Sequence, residues 1–203
     1  MAAPAAAPRH DEEPDGEEGR KVGRGLEDRL LKTRTIPLFE PITPRSARRI
    51  VTSLLVLEAE DADKPVTLLV NSPGGSVDDG FAIYDTMRFV RCPVRAVCTG
   101  LAASAANIVL LGAPKGSRLS LPNTRILIHQ PSTGVQGQAS DIAITAKEIL
   151  KTRERLNGLL AAETGQPIDR IAQDTNRDYW MSAEEARAYG LIDRVIRSRG
   201  EID

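Results

Sequence analysis

Val66-Thr67-Leu68-Leu69-Val70-Asn71-Ser72-Pro73-Gly74-Gly75 is the stretch on which the fold of this chain turns. Val66 to Val70 is a short apolar run without strict alternation, bounded by Pro65 and by the turn-forming Asn71 to Gly75. Such a run reads as a strand buried on both faces, the mark of a parallel sheet covered by helices. Upstream, from Thr43-Pro44 to Glu60, Ile50, Leu54, Leu55 and Leu57 fall on one helical face, with Thr43 as cap and Pro44 in the first turn. Downstream, a helix is expected from about Ser76 to Val90. Cys92-Pro93 breaks the chain before a second run, Val94 to Cys98. Gly100 and the Ala-rich Leu101 to Leu111 then read as a turn and a helix. Arg125 to Ile128 reads as a third strand, Ile142 to Ala162 as a long helix ending near Gly165, Ala183 to Tyr189 as a helix and Leu191 to Ile196 as a late strand. Strands alternating with helices predict α/β architecture, a mainly parallel sheet and right-handed crossovers.

Composition bounds the function. The chain has 203 residues, 41% of them hydrophobic, which suffices for one domain with a sizeable core. Lys and Arg total 27 against 28 Asp and Glu, so no basic field recruits nucleic acid or an acidic membrane. An aromatic content of 3% removes the stacking platforms of a single-strand binder. Cys92 and Cys98 have no second pair and no His beside them, which argues against a disulfide framework and a metal site. Residues 1–25 are rich in Ala, Pro, Gly and acid and read as a disordered tail before a domain over 26–203. The tail fits neither a secretory signal nor a transit peptide, so a cytoplasmic location is expected. Ala96 to Ala113 carries no charge, but Thr99, Gly100, Ser104, Asn107 and Gly112 interrupt it, and a buried strand and helix explain it better than a membrane span.

In an open parallel sheet, ligands gather at the carboxyl ends of the strands. Three such ends carry unusual residues: Pro73-Gly74-Gly75, Thr99 to Ser104, and His129-Gln130-Pro131. Together they supply backbone donors, a hydroxyl and an imidazole, the parts of an acyl-transfer site. A serine hydroxyl is protonated at neutral pH and needs a base, and histidine, with an ordinary pKa of about 6.5, can take and return the proton. The only histidines are His10, in the tail, and His129, so His129 is the candidate base. An acid should fix its tautomer, and spacing leaves Asp169, Asp174, Asp178 and Asp193 open. Each part has a plainer reading: Ser104 as a small packing residue, His129 as a hydrogen-bonded strand end, Pro73-Gly74-Gly75 as a mere turn. Cys98 is a rival nucleophile, but its apolar neighbours point to packing.

Asn71-Ser72-Pro73-Gly74-Gly75, Ala102-Ala103-Ser104, Leu121-Pro122-Asn123, Ile128-His129-Gln130-Pro131 and Asp174 to Asp178, in this order and spacing, resemble the ClpP family, the proteolytic subunits of the Clp protease. The resemblance runs from about Leu26 to Ile196. It implies a ClpP/crotonase-like α/β fold built of repeated β-β-α units, with a protruding strand-helix handle over about residues 131–163. It also implies Ser104 as nucleophile, His129 as base and Asp178 as the orienting acid, with the N–H groups of Gly75 and Ala105 as oxyanion hole. Gly74, Gln130 and Pro131 would contact substrate. Gln136 and Gln138 would belong to the handle, and Arg177 would link handle contacts to the triad. The family assembles as two stacked seven-membered rings fed with unfolded protein by an AAA+ ATPase. The subunit itself needs no metal or organic cofactor, ATP being used by the partner.

Departures from the family pattern accompany these matches. Where the family reads Gly-Gln-Ala-Ala-Ser-Met-Gly, this chain reads Gly100-Leu101-Ala102-Ala103-Ser104-Ala105-Ala106, followed by Asn107. Asn176 stands where an acid usually precedes Arg177. The acidic tail replaces an apolar pore segment, and Thr67 and Leu69 stand where docking pockets are often aromatic, although Phe89 remains. Two other readings compete with an autonomous endopeptidase: a structural or regulatory ring subunit of weak activity, and a crotonase-like acyl-CoA enzyme.

Overall fold

The computed structural model describes residues 17–132 and 134–202. Among these, seven strands form one sheet with helices packed against it. β1 (Thr35–Leu38), β2 (Val66–Ser72), β3 (Val94–Ala103), β4 (Arg118–Ser120) and β7 (Arg194–Val195) run parallel in that spatial order. β5 (Arg125–Ile128) pairs parallel with the outer half of β3, and β6 (Tyr179–Ser182) pairs antiparallel with β5. The expected mixed α/β architecture with a mainly parallel sheet is therefore present. In β2, Val66, Leu68 and Val70 are fully buried and join Ile36, Leu38, Ile50, Leu54 and Ile83 in the main core.

The helix predicted from Thr43 is α2 (Pro44–Glu60). Thr43 and Ser46 form a reciprocal capping box, which satisfies amide donors the first turn would otherwise leave open. α3 (Val77–Phe89), capped by Ser76, follows the Gly74-Gly75 turn.

Several elements differ from the sequence reading. The tail boundary at residue 25 lies inside a helix, α1 (Glu17–Lys32), while residues 1–16 of the expected tail lie outside the described residues. Leu31, at its end, packs against the core, and a docked last turn lets helix propagate back through sequence with little apolar content of its own. β3 does not end at Cys98. It passes through Gly100 to Ala103, and helix α4 (Ala106–Gly112) begins later than expected. Gly100, at φ +83°, is a kink inside the strand, steadied by Leu101 N–H donating to Asn71 Oδ1 at 3.1 Å. The kink lets β3 change partner, from β4 at Ala96–Cys98 to β5 at Leu101–Ala103. β1, β4, β6 and α6 (Ile168–Asp174) were not expected, because each is too short to carry a periodic signal.

The long helix is α5 (Ala139–Thr164), ending at Gly165. Only Asn157 and Leu160 along it are buried, and its first four turns stand clear of the core. No strand forms among the described residues between His129 and Gln138, where the strand of a handle was expected. A strand needs a ladder partner, and a single copy of the chain offers none there. The C-terminal end of α5 is tied to the core. Arg118, 1% exposed, donates to both Glu163 and the Ala113 carbonyl, while Glu163 also receives Arg88 at 2.7 Å. α7 (Ala183–Tyr189), capped by Ser182, closes the fold.

Candidate active site

Sheet register brings the candidate residues to one edge. Ala103 of β3 lies opposite Leu127 of β5, so Ser104 and His129 leave neighbouring parallel strands at the same carboxyl end. β6 runs the other way with Ile128 opposite Tyr179, so the next residues outward, His129 and Asp178, face each other. Their side chains meet with Nδ1 of His129 3.1 Å from Oδ1 of Asp178. A neutral imidazole bearing its proton on Nδ1 donates to the carboxylate and leaves Nε2 free to accept.

The remaining acids are engaged elsewhere. Asp174 accepts from the Tyr189 hydroxyl at 2.8 Å, Asp193 accepts from the N–H groups of Gly116 and Arg118 at 2.7 and 2.9 Å, and Asp169 lies in the first turn of α6. The antiparallel strand β6, too short to be read from sequence, is what sets Asp178 apart from them.

Ser104 occupies the corner between β3 and α4 with φ +56°, a left-handed conformation that costs a non-glycine residue about 1–3 kcal/mol. The corner is held on both sides. Ser104 N–H donates to Leu127 O at 2.9 Å, and the Ser104 carbonyl accepts from Asn107 N–H at 3.0 Å and Asn107 Nδ2 at 3.2 Å. Asn107 Nδ2 also donates to Leu127 O at 2.7 Å, tying the serine corner to the strand that ends at His129. The Ser104 side chain is half-buried and its hydroxyl has no hydrogen-bond partner among the described residues, His129 included. The structure thus joins His129 to Asp178 and brings Ser104 to the adjoining strand end without closing a bond between them.

The Gly74-Gly75 loop is pressed against this corner. A Cβ on Gly74 would lie 2.5 Å from the Ala103 carbonyl and 2.7 Å from Ser104 Cβ, so only glycine allows the approach. Ile42 braces the loop, its N–H donating to Gly74 O at 2.8 Å and its carbonyl accepting from Ser76 N–H at 2.9 Å. Neither Gly75 N–H nor Ala105 N–H donates to a partner among the described residues. Two unspent donors on either side of a serine corner can receive a developing oxyanion.

Gln130 is structural as well as adjacent to the site: its N–H donates to Thr175 O at 2.6 Å and its Nε2 to Asn176 O at 2.8 Å, which holds the loop leading to Asp178. Pro131, with Val77, Ile108, Ile128 and Leu156, lines a small cavity of about 30 Å³ beside Ser104. Gln136, Gln138 and Arg177 are exposed; Arg177 directly precedes Asp178 in the chain and forms no ion pair with a described residue. Cys98 is fully buried, and that burial pushes its thiol up to about 12, so no thiolate is available to rival Ser104. Sequence reasoning missed the clamping role of Asn107, although one signal was present: a single amide inside the apolar stretch from Ala102 to Leu111.

A serine corner beside an imidazole–carboxylate pair and two free backbone donors, at the carboxyl edge of a parallel sheet, has the form of a hydrolase site. The family model described as Clp protease matches residues 19–199, and the chain belongs to the Clp protease family. It is accordingly a ClpP-like peptidase. No helix among the described residues is long and apolar enough to cross a membrane, and no group of three or more His, Cys, Asp or Glu among them could hold a metal.

Proposed function

We propose that the chain is a serine endopeptidase that cleaves unfolded proteins and peptides through an acyl-enzyme on Ser104. The observation that carries this reading is the shared strand register, which aligns Ser104, His129 and Asp178 on one edge with His129 and Asp178 in contact. Asp178 accepts a hydrogen bond from Nδ1–H, which orients the ring and stabilises the imidazolium, and Nε2 removes the Ser104 proton as Oγ attacks the scissile carbonyl. The N–H groups of Gly75 and Ala105 receive the oxyanion. Collapse breaks the C–N bond, and the imidazolium returns its proton to the leaving amine. Water, deprotonated by the same imidazole, then attacks the ester and regenerates Ser104. The hydrogen bond from Ser104 to His129 forms on substrate binding or assembly, consistent with catalytic contacts that tighten only in the complex.

The ring assembly belongs to the same proposal. Ile142, Ile144 and Leu150 are exposed on the free half of α5, as expected of a handle that meets another copy. Two stacked seven-membered rings would enclose the sites, with residues 131–138 gaining a ladder partner across the junction. A groove of about 540 Å³, lined by Leu30, Thr67, Leu69 and Ile202, supports docking of an AAA+ unfoldase that spends ATP while the peptidase subunit uses no cofactor. The work would take place in the cytoplasm.

Intact-mass measurement after treatment with a fluorophosphonate tests the reading. Addition of one probe per chain, lost in Ser104→Ala, is the expected result. Assembled rings that do not label would overturn the autonomous peptidase and favour a ring subunit dependent on a paralogue.

A further inference from the structure

Glu163 stands at the C-terminal end of α5, three and four residues beyond Leu160 and Leu159, so it continues the helix face that walls the cavity beside Ser104. Its carboxylate is a node for three side chains. Oε2 accepts from Arg118, and Oε1 accepts from Arg88 at 2.7 Å and from the Tyr84 hydroxyl at 3.2 Å. Both arginines also grip the carboxyl end of α4, the helix that follows Ser104. Arg118 donates to Ala113 O at 2.8 Å and to Leu111 O at 3.2 Å, and Arg88 donates to Leu111 O at 3.1 Å. Leu111 itself lines the cavity, with Ile108 from the same helix and Leu156, Leu159 and Leu160 from α5.

The cavity is therefore bounded by two helices whose ends are joined through one carboxylate. α5 depends on such a tie, because only Asn157 and Leu160 along it are buried. Arg118 is 1% exposed, and a planar guanidinium set between fixed carbonyls has little freedom to move. Charge matters as well as shape. A carboxylate offers acceptors to both arginines at once, whereas a glutamine amide offers one oxygen and an NH2 group that cannot accept.

We propose that Glu163 is a positioning residue for peptide selection: through Arg118 and Arg88 it fixes α5 against α4 and so holds the walls of the cavity beside Ser104 at a set spacing. The inference rests on the peptidase reading above. Glu163 touches no substrate. It acts by keeping the apolar wall from yielding to side chains that fit poorly, and in such a wall one methylene of fit changes kcat/KM about 10- to 200-fold.

The test is kcat/KM on the full-length, assembled protein with peptidyl-aminocoumarins that differ only in the residue supplying the scissile carbonyl: alanine, valine, leucine or phenylalanine. Fluorophosphonate titration counts working sites, so rates are compared per site and a mere loss of folded protein cancels. In Glu163→Gln the ratio of best to worst substrate is expected to contract about fivefold, with the labelling rate per site within about twofold of wild type. Arg34→Ala is the control for lost stability. It removes bonds to Leu57, Asp61, Lys64 and Pro65, none of which lines the cavity, and should leave the ratio within about twofold. Should Glu163→Gln fail to fold, Arg88→Ala decides: it keeps the Arg118–Glu163 pair and should contract the ratio about threefold. A wild type that cuts all four alike, a ratio unchanged in the decisive variant, or an equal contraction in Arg34→Ala overturns the role of Glu163 and leaves the peptidase standing. No hydrolysis of any peptide, together with no fluorophosphonate labelling of Ser104, overturns the peptidase reading and this inference with it.

Discussion

Arg34 and Ser104 are the two non-glycine residues with left-handed backbone among the described residues, at φ +57° and +56°. They use it in opposite ways. Arg34 turns the chain from α1 into β1, and its guanidinium donates to the carbonyls of Leu57, Asp61, Lys64 and Pro65 at 2.9 to 3.3 Å. Its side chain binds together the end of α2 and the start of β2. Ser104 has its backbone held as firmly, by Leu127 and Asn107, but its hydroxyl is left without a partner. At Arg34 the strain is offset by the side chain that creates it. At Ser104 the surroundings supply the restraint, and the side chain takes no part in it.

Asp178→Asn probes the reactive corner where the largest effect is expected. The amide cannot hold the working tautomer of His129 as the carboxylate does, and kcat should fall about 10³- to 10⁴-fold with the melting temperature unchanged. Steady-state kinetics beside a thermal scan checks both. Arg34→Ala should do the reverse. It removes four donors and keeps the strained backbone, so stability should drop by about 2–3 kcal/mol in urea unfolding while kcat per folded chain stays within twofold. A large loss of kcat in the Arg34 variant would end the contrast between the two corners.

A pH titration sharpens it further. Arg34 donates to carbonyl oxygens, which do not titrate in this range, so acid sensitivity must arise elsewhere, and Glu163 is a source. Burial pushes its carboxyl up, but the hydrogen bond and charge of Arg118, aided by Arg88, outweigh this and hold it below its ordinary 4.5. A carboxylate with a depressed folded-state pKa adds stability that is complete above its unfolded value and is lost as pH falls through the folded one. Urea midpoints of wild type and Glu163→Gln should therefore differ at pH 7 and converge as pH falls through the window below 4.5. At pH 7 the variant should be weaker by about 2 kcal/mol. A gap that persists at low pH would show that the ion pair is not its cause.

The smallest effect on the fold is expected on the free half of α5. Ile144, 61% exposed, touches no core, so Ile144→Ser should change unfolding free energy by less than about 0.5 kcal/mol. Native mass spectra should nevertheless show single rings or smaller species if this face joins ring to ring. Intact double rings would remove the handle role from Ile144.

From sequence alone, the α/β class, the helices α2, α3, α5 and α7, and Ser104 and His129 as candidates were accessible. Buried strands announce themselves as apolar runs, turns as Pro-Gly-Gly, and one histidine outside the tail leaves a single candidate base. The choice among Asp169, Asp174, Asp178 and Asp193 was open to spacing and was narrowed only by family resemblance. In the structure, Asp178 meets His129 because β6 pairs antiparallel with β5, a contact between residues 49 positions apart. The strain at Ser104, the continuation of β3 through Gly100 and the clamp of Asn107 were likewise decided by tertiary structure. Their causes are non-local: a change of strand partner, a glycine loop pressed on a corner, and an amide reaching a carbonyl 20 residues away. Local propensity sets which segments can be strand or helix, whereas the register of strands distant in sequence decides which side chains meet.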